Sequence, residues 1–322
     1  MDRELMWAQL VHLSDNMWHD REACDSTGYE YTTASTRMRF HRPTWDDLMA
    51  RFVESGVNTV LVDLGDAVRY ESHPEIAVED AWTPAQLKEE LARLRDMGLT
   101  PLPKLNFAAS HDAWLGEYAR MLSTRKYYEV VSDLIAETCE LFDGPELFHL
   151  GMDEETHDNQ NNGLIAVIRQ HELWWHDLLL MVEQVEKAGP RAWIWADKFW
   201  HHPDEFIAQM PRSVMMSNWY YGGRFNSQKE GAQAYIDLDT HGFDQIPTGS
   251  NWDDADNLRK TVKWCKENVD HKRLFGFLQT VWKPVIARRK TRLFEAADEV
   301  GVARMEWDGT WSEEAFEVKS GG

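Results

Sequence analysis

Short apolar or β-branched runs alternate with amphipathic helical segments along the chain, and this alternation limits the folds that the chain can adopt. The runs lie at residues 11–13, 59–62, 99–105, 147–150, 192–196, 214–216, 245–247 and 275–278. A strand–helix unit repeated about eight times is typical of a (β/α)8 barrel, or TIM barrel, with a doubly wound open sheet as the alternative. The sequence therefore predicts an α/β protein folded as a TIM barrel.

Three segments between the runs carry clear helix signals. Residues 45–55 repeat apolar side chains at helical spacing and are followed by a glycine. Thr83 precedes a proline and predicts the cap of a second helix, which ends at Gly98. Residues 173–188 predict a third helix, which a Gly-Pro pair stops.

The domain organisation follows from what the 322 residues lack. The sequence has no linker, no low-complexity tract and no short repeat, so we predict one domain over residues 1–322. The longest stretch without periodicity, residues 19–43, follows the first strand. Loops after barrel strands surround the active-site mouth, and we therefore expect this long loop to lie over the site.

Composition and charge narrow the possible partners and location. A formal net charge of -21 argues against nucleic acid and anionic membranes, since binding phosphates needs a basic surface. No apolar run reaches transmembrane length, and Met1 is followed by charged residues instead of an apolar signal core. The three cysteines form no CxxC pair, which favours a reducing compartment. We expect a cytoplasmic protein, and its oligomeric state, a homodimer included, stays open.

The segment with the most chemistry is residues 148–154, Phe-His-Leu-Gly-Met-Asp-Glu. An apolar run typical of a buried strand ends at two adjacent carboxylates, Asp153 and Glu154. Neighbouring side chains on a strand point to opposite faces, so one acid can face a substrate while the other orients it. Glycoside hydrolysis needs such carboxylates, usually one with a raised pKa as general acid. A solvated acidic loop is the alternative for this pair alone.

The predicted carboxyl ends of the strands, where catalytic groups gather in a barrel, form a polar rim. Many of the chain's 16 tryptophans follow these ends, and indole rings stack on the apolar faces of sugars. No glycine-rich phosphate loop accompanies them, so the rim predicts a carbohydrate ligand. The candidate substrate-binding residues are Asn16, His149, Trp195, Asp197, Trp219, Tyr220, Tyr221, Trp252, Asp253 and Trp282.

Much of residues 57–155 resembles the β-N-acetylhexosaminidases of glycoside hydrolase family 20. The family carries H-x-G-G-D-E on strand four, and residues 149–154 are His-Leu-Gly-Met-Asp-Glu. The strand-two motif N-T-(apolar)₃-H-L-x-D is matched by residues 58–66, which keep the closing Asp66 and place Asp63 where the family has histidine. On strand three, the proline and His111 are kept, but both acids of the family motif are lost.

The similarity is thinner downstream of residue 155. Trp195, Trp219 and Trp282 resemble the tryptophans that wall the family's sugar pocket. The Y-L-D motif of strand seven is replaced by Trp-Asp-Asp at residues 252–254, and Lys283 replaces the glutamate after the last tryptophan. The arginine expected on strand one is absent. These changes favour an altered substrate specificity over a loss of catalysis.

The resemblance implies that Glu154 is the general acid and that Asp153 orients a 2-acetamido group, whose carbonyl oxygen attacks the anomeric carbon. Asp66 and His111 would form a relay to Glu154. The implied enzyme is an exo-acting retaining glycoside hydrolase that removes terminal N-acetylhexosamine. The alternatives are a β-glycosidase of different sugar specificity with a carboxylate nucleophile, and a barrel that binds a sugar without cleaving it.

The acetamido-capping residue and the question of a metal ion complete the description of the implied site. Tyr220, Tyr221 and Trp252 compete for the role of capping the acetamido oxygen. The histidines and carboxylates form no compact His-x-x-x-His or cysteine pattern, so the sequence predicts no metal. We expect no cofactor.

Overall fold

The computed structural model describes residues 4–20, 31–161, 163 and 165–310, in which eight strands alternate with helices. The strands are β1 (Met6–His12), β2 (Thr59–Asp63), β3 (Thr100–Lys104), β4 (Leu147–His149), β5 (Arg191–Trp195), β6 (Met215–Ser217), β7 (Thr248–Ser250) and β8 (Gly276–Thr280). The α-helices are α1 (Arg42–Ser55), α2 (Pro84–Asp96), α3 (Arg125–Leu141), α4 (His157–Gln160), α5 (Glu172–Ala188), α6 (Lys198–His201), α7 (Pro203–Gln209), α8 (Glu230–Thr240), α9 (Asn257–Asn268) and α10 (Lys290–Asp308). Short 3₁₀ helices lie at Pro74–Ile76, Ala113–Arg120 and Ala287–Arg289.

The strands form a parallel barrel. Their order in the sheet is β6-β5-β4-β3-β2-β1-β8-β7. The N–H groups of Ile246 and Thr248 donate 2.9 Å hydrogen bonds to the carbonyl oxygens of Met216 and Asn218, which join the two outer strands. The predicted TIM barrel is therefore confirmed. No helix among the described residues combines the length and apolar character that crossing a bilayer requires.

The alternation of side chains along the strands divides the apolar core into two layers. In β1, Ala8 and Leu10 join the cluster inside the barrel, whereas Trp7 and Val11 pack in the larger cluster between strands and helices. This period of two is what an extended backbone imposes. The inner cluster also contains Trp195, whose ring therefore lies at the junction of the core and the barrel mouth.

The three predicted helices are present, with the caps that the sequence indicates. Helix α1 stops at Gly56, whose φ of 86° favours a residue without Cβ. Thr83 caps α2, and its side chain and that of Gln86 satisfy each other's backbone N–H groups in a capping box. Helix α5 ends at Gly189.

The predicted seventh strand, residues 245–247, is displaced from the regular strand, which is β7. Gln245 makes only isolated bridges, to Met216 and Leu274. The regular strand is the polar run Thr-Gly-Ser that follows, and a Cβ on Gly249 would lie 2.6 Å from the Cα of Leu258. Close packing of α9 therefore demands a glycine in a strand that no apolar pattern marks.

The long loop predicted over the site is partly described, at residues 19–20 and 31–43. His19 and Thr33 form a bridge across it, and α1 begins within its last residues. His19 and Thr32 line the large cavity at the barrel mouth. The prediction for residues 21–30 lies outside the described residues.

Candidate active site

A cavity of about 740 Å³ opens at the carboxyl ends of the barrel strands. Its size is within the range of small-molecule sites. It brings together sequence-predicted residues from six strand ends: His111, Asp153, Glu154, Trp195, Trp219, Tyr220, Tyr221, Trp252, Asp253 and Trp282.

The acid pair lies on a tight turn directly after β4. Gly151, Met152 and Glu154 have φ values of 74°, 73° and 53°, all in the left-handed region. A Cβ on Gly151 would lie 1.9 Å from the side-chain oxygen of Asn106, so glycine is required there. Left-handed backbone at non-glycine residues costs free energy and persists only where neighbouring groups hold it.

Side chains from neighbouring strands hold this turn. Asn106, after β3, accepts a hydrogen bond from Met152 N–H at 3.3 Å and donates one to Asp153 Oδ1 at 2.9 Å. The Ser110 hydroxyl donates to the carbonyl oxygen of Asp153 at 2.8 Å. Both polar groups are buried, which makes these bonds costly to break.

His111 lies between the two acids. Its Nδ1 is 3.3 Å from Asp153 Oδ1, and its Nε2 is 3.6 Å from Glu154 Oε2. Burial disfavours the charged ring, but the Asp153 carboxylate and Glu154 raise the pKa of His111 to about 9. Burial likewise disfavours charged Asp153, yet His111, Lys104 and the Asn106 amide lower its pKa to about 2. At neutral pH the structure therefore favours an imidazolium beside an ionised Asp153.

Glu154 differs from its neighbour in the direction of its pKa shift. Burial and the Asp153 charge raise the pKa of Glu154, against the opposing effect of His111. Its side chain is 36% exposed, whereas that of Asp153 is 8% exposed. A carboxyl group that has a raised pKa and reaches the cavity is suited to general acid chemistry.

Below the acid pair, the barrel interior contains a buried charged cluster. The ammonium of Lys104, which is fully buried, lies 2.6 Å from Asp63 Oδ2, and His12 Nδ1 lies 3.1 Å from the same oxygen. Asp63 is the residue that replaces the family's histidine, and Lys104 replaces one of its acids. Burial opposes ionisation of Asp63, but Lys104 and His12 hold its pKa well below the usual value.

Aromatic rings form the rest of the cavity wall. The rings of Trp195 and Trp282 lie 5.8 Å apart between centroids, and Trp282 Nε1 donates to the hydroxyl of Tyr221 at 3.1 Å. On another side, Trp200 and Trp219 are 4.6 Å apart. Such a wall offers apolar faces for the C–H faces of a sugar.

Asn16, Asp66, His149 and Asp197 do not line this cavity. Asn16 donates to Asp66 Oδ2 at 2.9 Å. His111 contacts Glu154 and Asp153, and the relay from Asp66 through His111 to Glu154 stays a prediction.

His149 is fully buried, with its ring centroid 4.4 Å from that of Trp195. Its Nδ1 accepts a hydrogen bond from Gly151 N–H at 3.0 Å. Burial and Lys104 lower the pKa of His149 well below its usual value, so the ring is neutral. This position supports the turn from beneath, and the predicted contact of His149 with substrate stays a prediction.

One group of described residues has the spacing of a metal site. One donor atom each from His111, Asp153 and Glu154 lies within 4.8 Å of the others. A cation at this group would have to displace the proton of His111, because a ligating imidazole must be neutral.

The site residues predicted from the sequence leave out several that shape the site. Trp200, Lys229 and Glu230 line the cavity, and Asn106 and Ser110 hold the acid turn. Their contacts depend on loops that converge in three dimensions. The one available signal was the position of Asn106 directly after a predicted strand.

Comparisons with known proteins give the class of this fold. No protein-family model matches the sequence, and neither does any curated protein. Among solved structures, a β-N-acetylhexosaminidase from Streptomyces coelicolor of glycoside hydrolase family 20 is similar, with a TM-score of 0.67 and 14% identity over 98% of this chain and 68% of that one.

Two other structures of the same kind extend the comparison. A β-N-acetylhexosaminidase from Bacteroides fragilis gives a TM-score of 0.61 at 14% identity over 92% of this chain and 65% of that one. An exo-β-N-acetylglucosaminidase from Vibrio harveyi, solved with N-acetylglucosamine, gives 0.60 at 13% identity over 99% and 58%. The chain thus spans about 58–68% of the lengths of these three structures and shares their barrel fold as a distant structural relative.

Proposed function

We propose that this protein is a retaining, exo-acting glycoside hydrolase that removes a terminal N-acetylhexosamine, with Glu154 as general acid and Asp153 as the carboxylate that orients the 2-acetamido group. The observation that carries the proposal is the pair itself: Glu154, whose pKa is raised, and Asp153, whose pKa is lowered to about 2, share one cavity edge. Environments that push two carboxyl pKa values apart assign an acid and a base.

The separation of the two carboxyl groups bears on an inverting reaction. Oxygens of Asp153 and Glu154 lie within 4.8 Å of each other. An inverting enzyme keeps its acid and its base roughly 6.5–9.5 Å apart to leave room for a water molecule. Asp153 is therefore poorly placed to be the base of such a reaction.

In the proposed reaction, Glu154 protonates the glycosidic oxygen while the acetamido carbonyl oxygen of the substrate attacks the anomeric carbon. Asp153, held by Asn106 and His111, accepts the acetamido N–H and stabilises the positive charge of the forming oxazoline ring. The leaving group departs with the proton of Glu154. Glu154 then acts as base for the water that opens the ring, which restores the starting configuration.

A panel of chromogenic aryl glycosides tests this function. We expect hydrolysis of N-acetylglucosaminides or N-acetylgalactosaminides in preference to the matching glucosides and galactosides. Preferred cleavage of sugars without an acetamido group would favour the alternative β-glycosidase. Saturable binding of N-acetylhexosamines with no hydrolysis of any member would favour the sugar-binding barrel.

A further inference from the structure

Asp197 lies directly behind the acid turn. It is the second residue after β5 and precedes α6. Its side chain is buried and does not line the cavity, whereas that of Glu154 does. The contact between Asp197 and substrate that the sequence predicts stays a prediction.

The contact that Asp197 makes is with the backbone of the acid. Oδ2 of Asp197 accepts a hydrogen bond from the peptide N–H of Glu154 at 2.9 Å. Oδ1 is buried and has no hydrogen-bond partner among the described residues. The side chain is therefore directed at one peptide group.

That peptide group belongs to a residue whose backbone needs support. Glu154 has a φ of 53°, which is unfavourable for a residue with a long side chain. Asn106 and Ser110 hold Asp153, one residue earlier, and Asp197 holds the N–H of Glu154. The direction in which a side chain leaves the backbone depends on φ, so this bond affects where the Glu154 carboxyl enters the cavity.

We propose that Asp197 is a positioning residue, whose carboxyl oxygen holds the peptide N–H of Glu154 and so directs the Glu154 side chain into the cavity. The kinetic consequence rests on the proposed function. The structural consequence, the left-handed backbone of Glu154, does not.

The protonation state of Asp197 determines which variants test its role. Burial raises the pKa of this carboxyl to about 8, with repulsion from Asp153 and Glu154 acting in the same direction. Lys198 on α6 is the neighbouring cation. The neutral carboxyl is therefore the main form at pH 7, and asparagine matches it in shape, charge and acceptor oxygen. Alanine removes the acceptor.

The experiment compares Asp197→Asn and Asp197→Ala by crystallography and by kinetics with an N-acetylhexosaminide. In D197A we expect φ of Glu154 to leave the left-handed region, and kcat to fall about 10- to 100-fold with KM nearly constant, since misplaced catalytic groups cost this much. In D197N we expect the backbone and most of kcat to be retained. Rescue by asparagine distinguishes positioning from a need for charge.

Asp244→Ala is the matched control. Asp244 is a largely buried carboxylate at the opposite end of the barrel, 2.9 Å from Arg191 and 3.1 Å from Arg273. Its loss should lower Tm without changing kcat. Asp197→Ser, whose hydroxyl is too short to reach the Glu154 N–H, replaces D197A if the alanine variant does not fold, with the same expectation.

The outcomes separate the inference from the function. An unchanged φ of Glu154 and an unchanged carboxyl position in D197A would overturn the positioning role, whether or not the protein hydrolyses sugars. A rise in KM at constant kcat would overturn it in favour of a substrate contact. Absence of hydrolysis by the wild type would count against the proposed function, while the crystallographic comparison still decides the role of Asp197.

Discussion

The Nε2 atom of His111 lies 3.6 Å from Oε2 of Glu154. The other ring nitrogen is 3.3 Å from Asp153, so one imidazole contacts both acids. A protonated His111 lowers the pKa of each, and burial together with mutual repulsion still leaves Glu154 with a raised pKa. The ring thus keeps Asp153 ionised, while the pKa of Glu154 stays above its usual value.

The first prediction concerns the acid. Glu154→Gln should lower kcat by roughly two to four decades for a substrate with a poor leaving group, because no proton reaches the glycosidic oxygen. The loss should be smaller for an aryl glycoside with a good leaving group, which needs little protonation. Steady-state kinetics with both substrates measures the difference.

Asp158→Asn is the control for that variant. Asp158 lines the same cavity, follows Glu154 by four residues, and has a side chain that is 95% exposed. Its change should leave kcat within a few fold. Near-wild-type activity of E154Q on the poor substrate would contradict the assignment of Glu154.

A second prediction is that His111→Ala shifts the pH–rate profile upward and lowers kcat. The imidazolium, with a pKa of about 9, is charged at neutral pH and favours the ionised forms of both acids. Its loss raises the pKa of Asp153, which moves the acidic limb up, and that of Glu154, which moves the alkaline limb up. Profiles of kcat/KM from pH 4 to 10 measure both limbs, and an unchanged profile would reduce His111 to a structural role.

A third prediction concerns the buried charges beneath the site. Lys104→Met leaves Asp63 buried without its ammonium partner and should cost about 3–5 kcal/mol of unfolding free energy. Asp63→Asn combined with Lys104→Met should recover much of this loss, because no charge is then left unpaired. Urea unfolding at pH 7 measures both.

An exposed ion pair of the same length provides the comparison for Lys104. Lys290 and Asp47 also lie 2.6 Å apart, with side chains 42% and 53% exposed. Lys290→Met should cost less than about 1 kcal/mol. If Lys104→Met lowers the free energy of unfolding no more than Lys290→Met does, the buried pair does not contribute the stability assigned to it.

The sequence predicts the barrel well because each strand–helix unit carries its signal locally. Helices end at glycines such as Gly56 and Gly189, and apolar runs mark most strands. β7 lacks such a signal, since its residues are small and polar and its position depends on the packing of Gly249 against α9. A contact between distant segments cannot be found from a local pattern.

The candidate site likewise contains residues that a local motif identifies and residues that only the fold brings together. Asp153 and Glu154 are adjacent in sequence, so a motif identifies them. Asp197 follows Glu154 by 43 residues, and only the fold brings its carboxyl to the peptide of the acid. Its type and its place after a strand indicate a rim residue, but they do not indicate whether it faces substrate or backbone.

The final prediction concerns the mechanism and depends on Asp153. The low pKa of this carboxyl, about 2, keeps it ionised and able to hold an acetamido N–H as an oxazoline ring forms. A thiazoline mimic of that ring should therefore inhibit the enzyme. Asp153→Asn should weaken this inhibition and lower kcat for N-acetylhexosaminides.

A double-displacement enzyme would instead use a carboxylate as nucleophile. A 2-fluoro glycoside would trap it covalently, and mass spectrometry of the intact protein detects the trapped form. Residues 251–253 are the reason to test both mechanisms. The strand-seven motif of glycoside hydrolase family 20 has its acetamido-capping tyrosine at this place, and this chain has tryptophan. Efficient cleavage of substrates without the acetamido group, with covalent trapping and no thiazoline inhibition, would decide against the substrate-assisted mechanism.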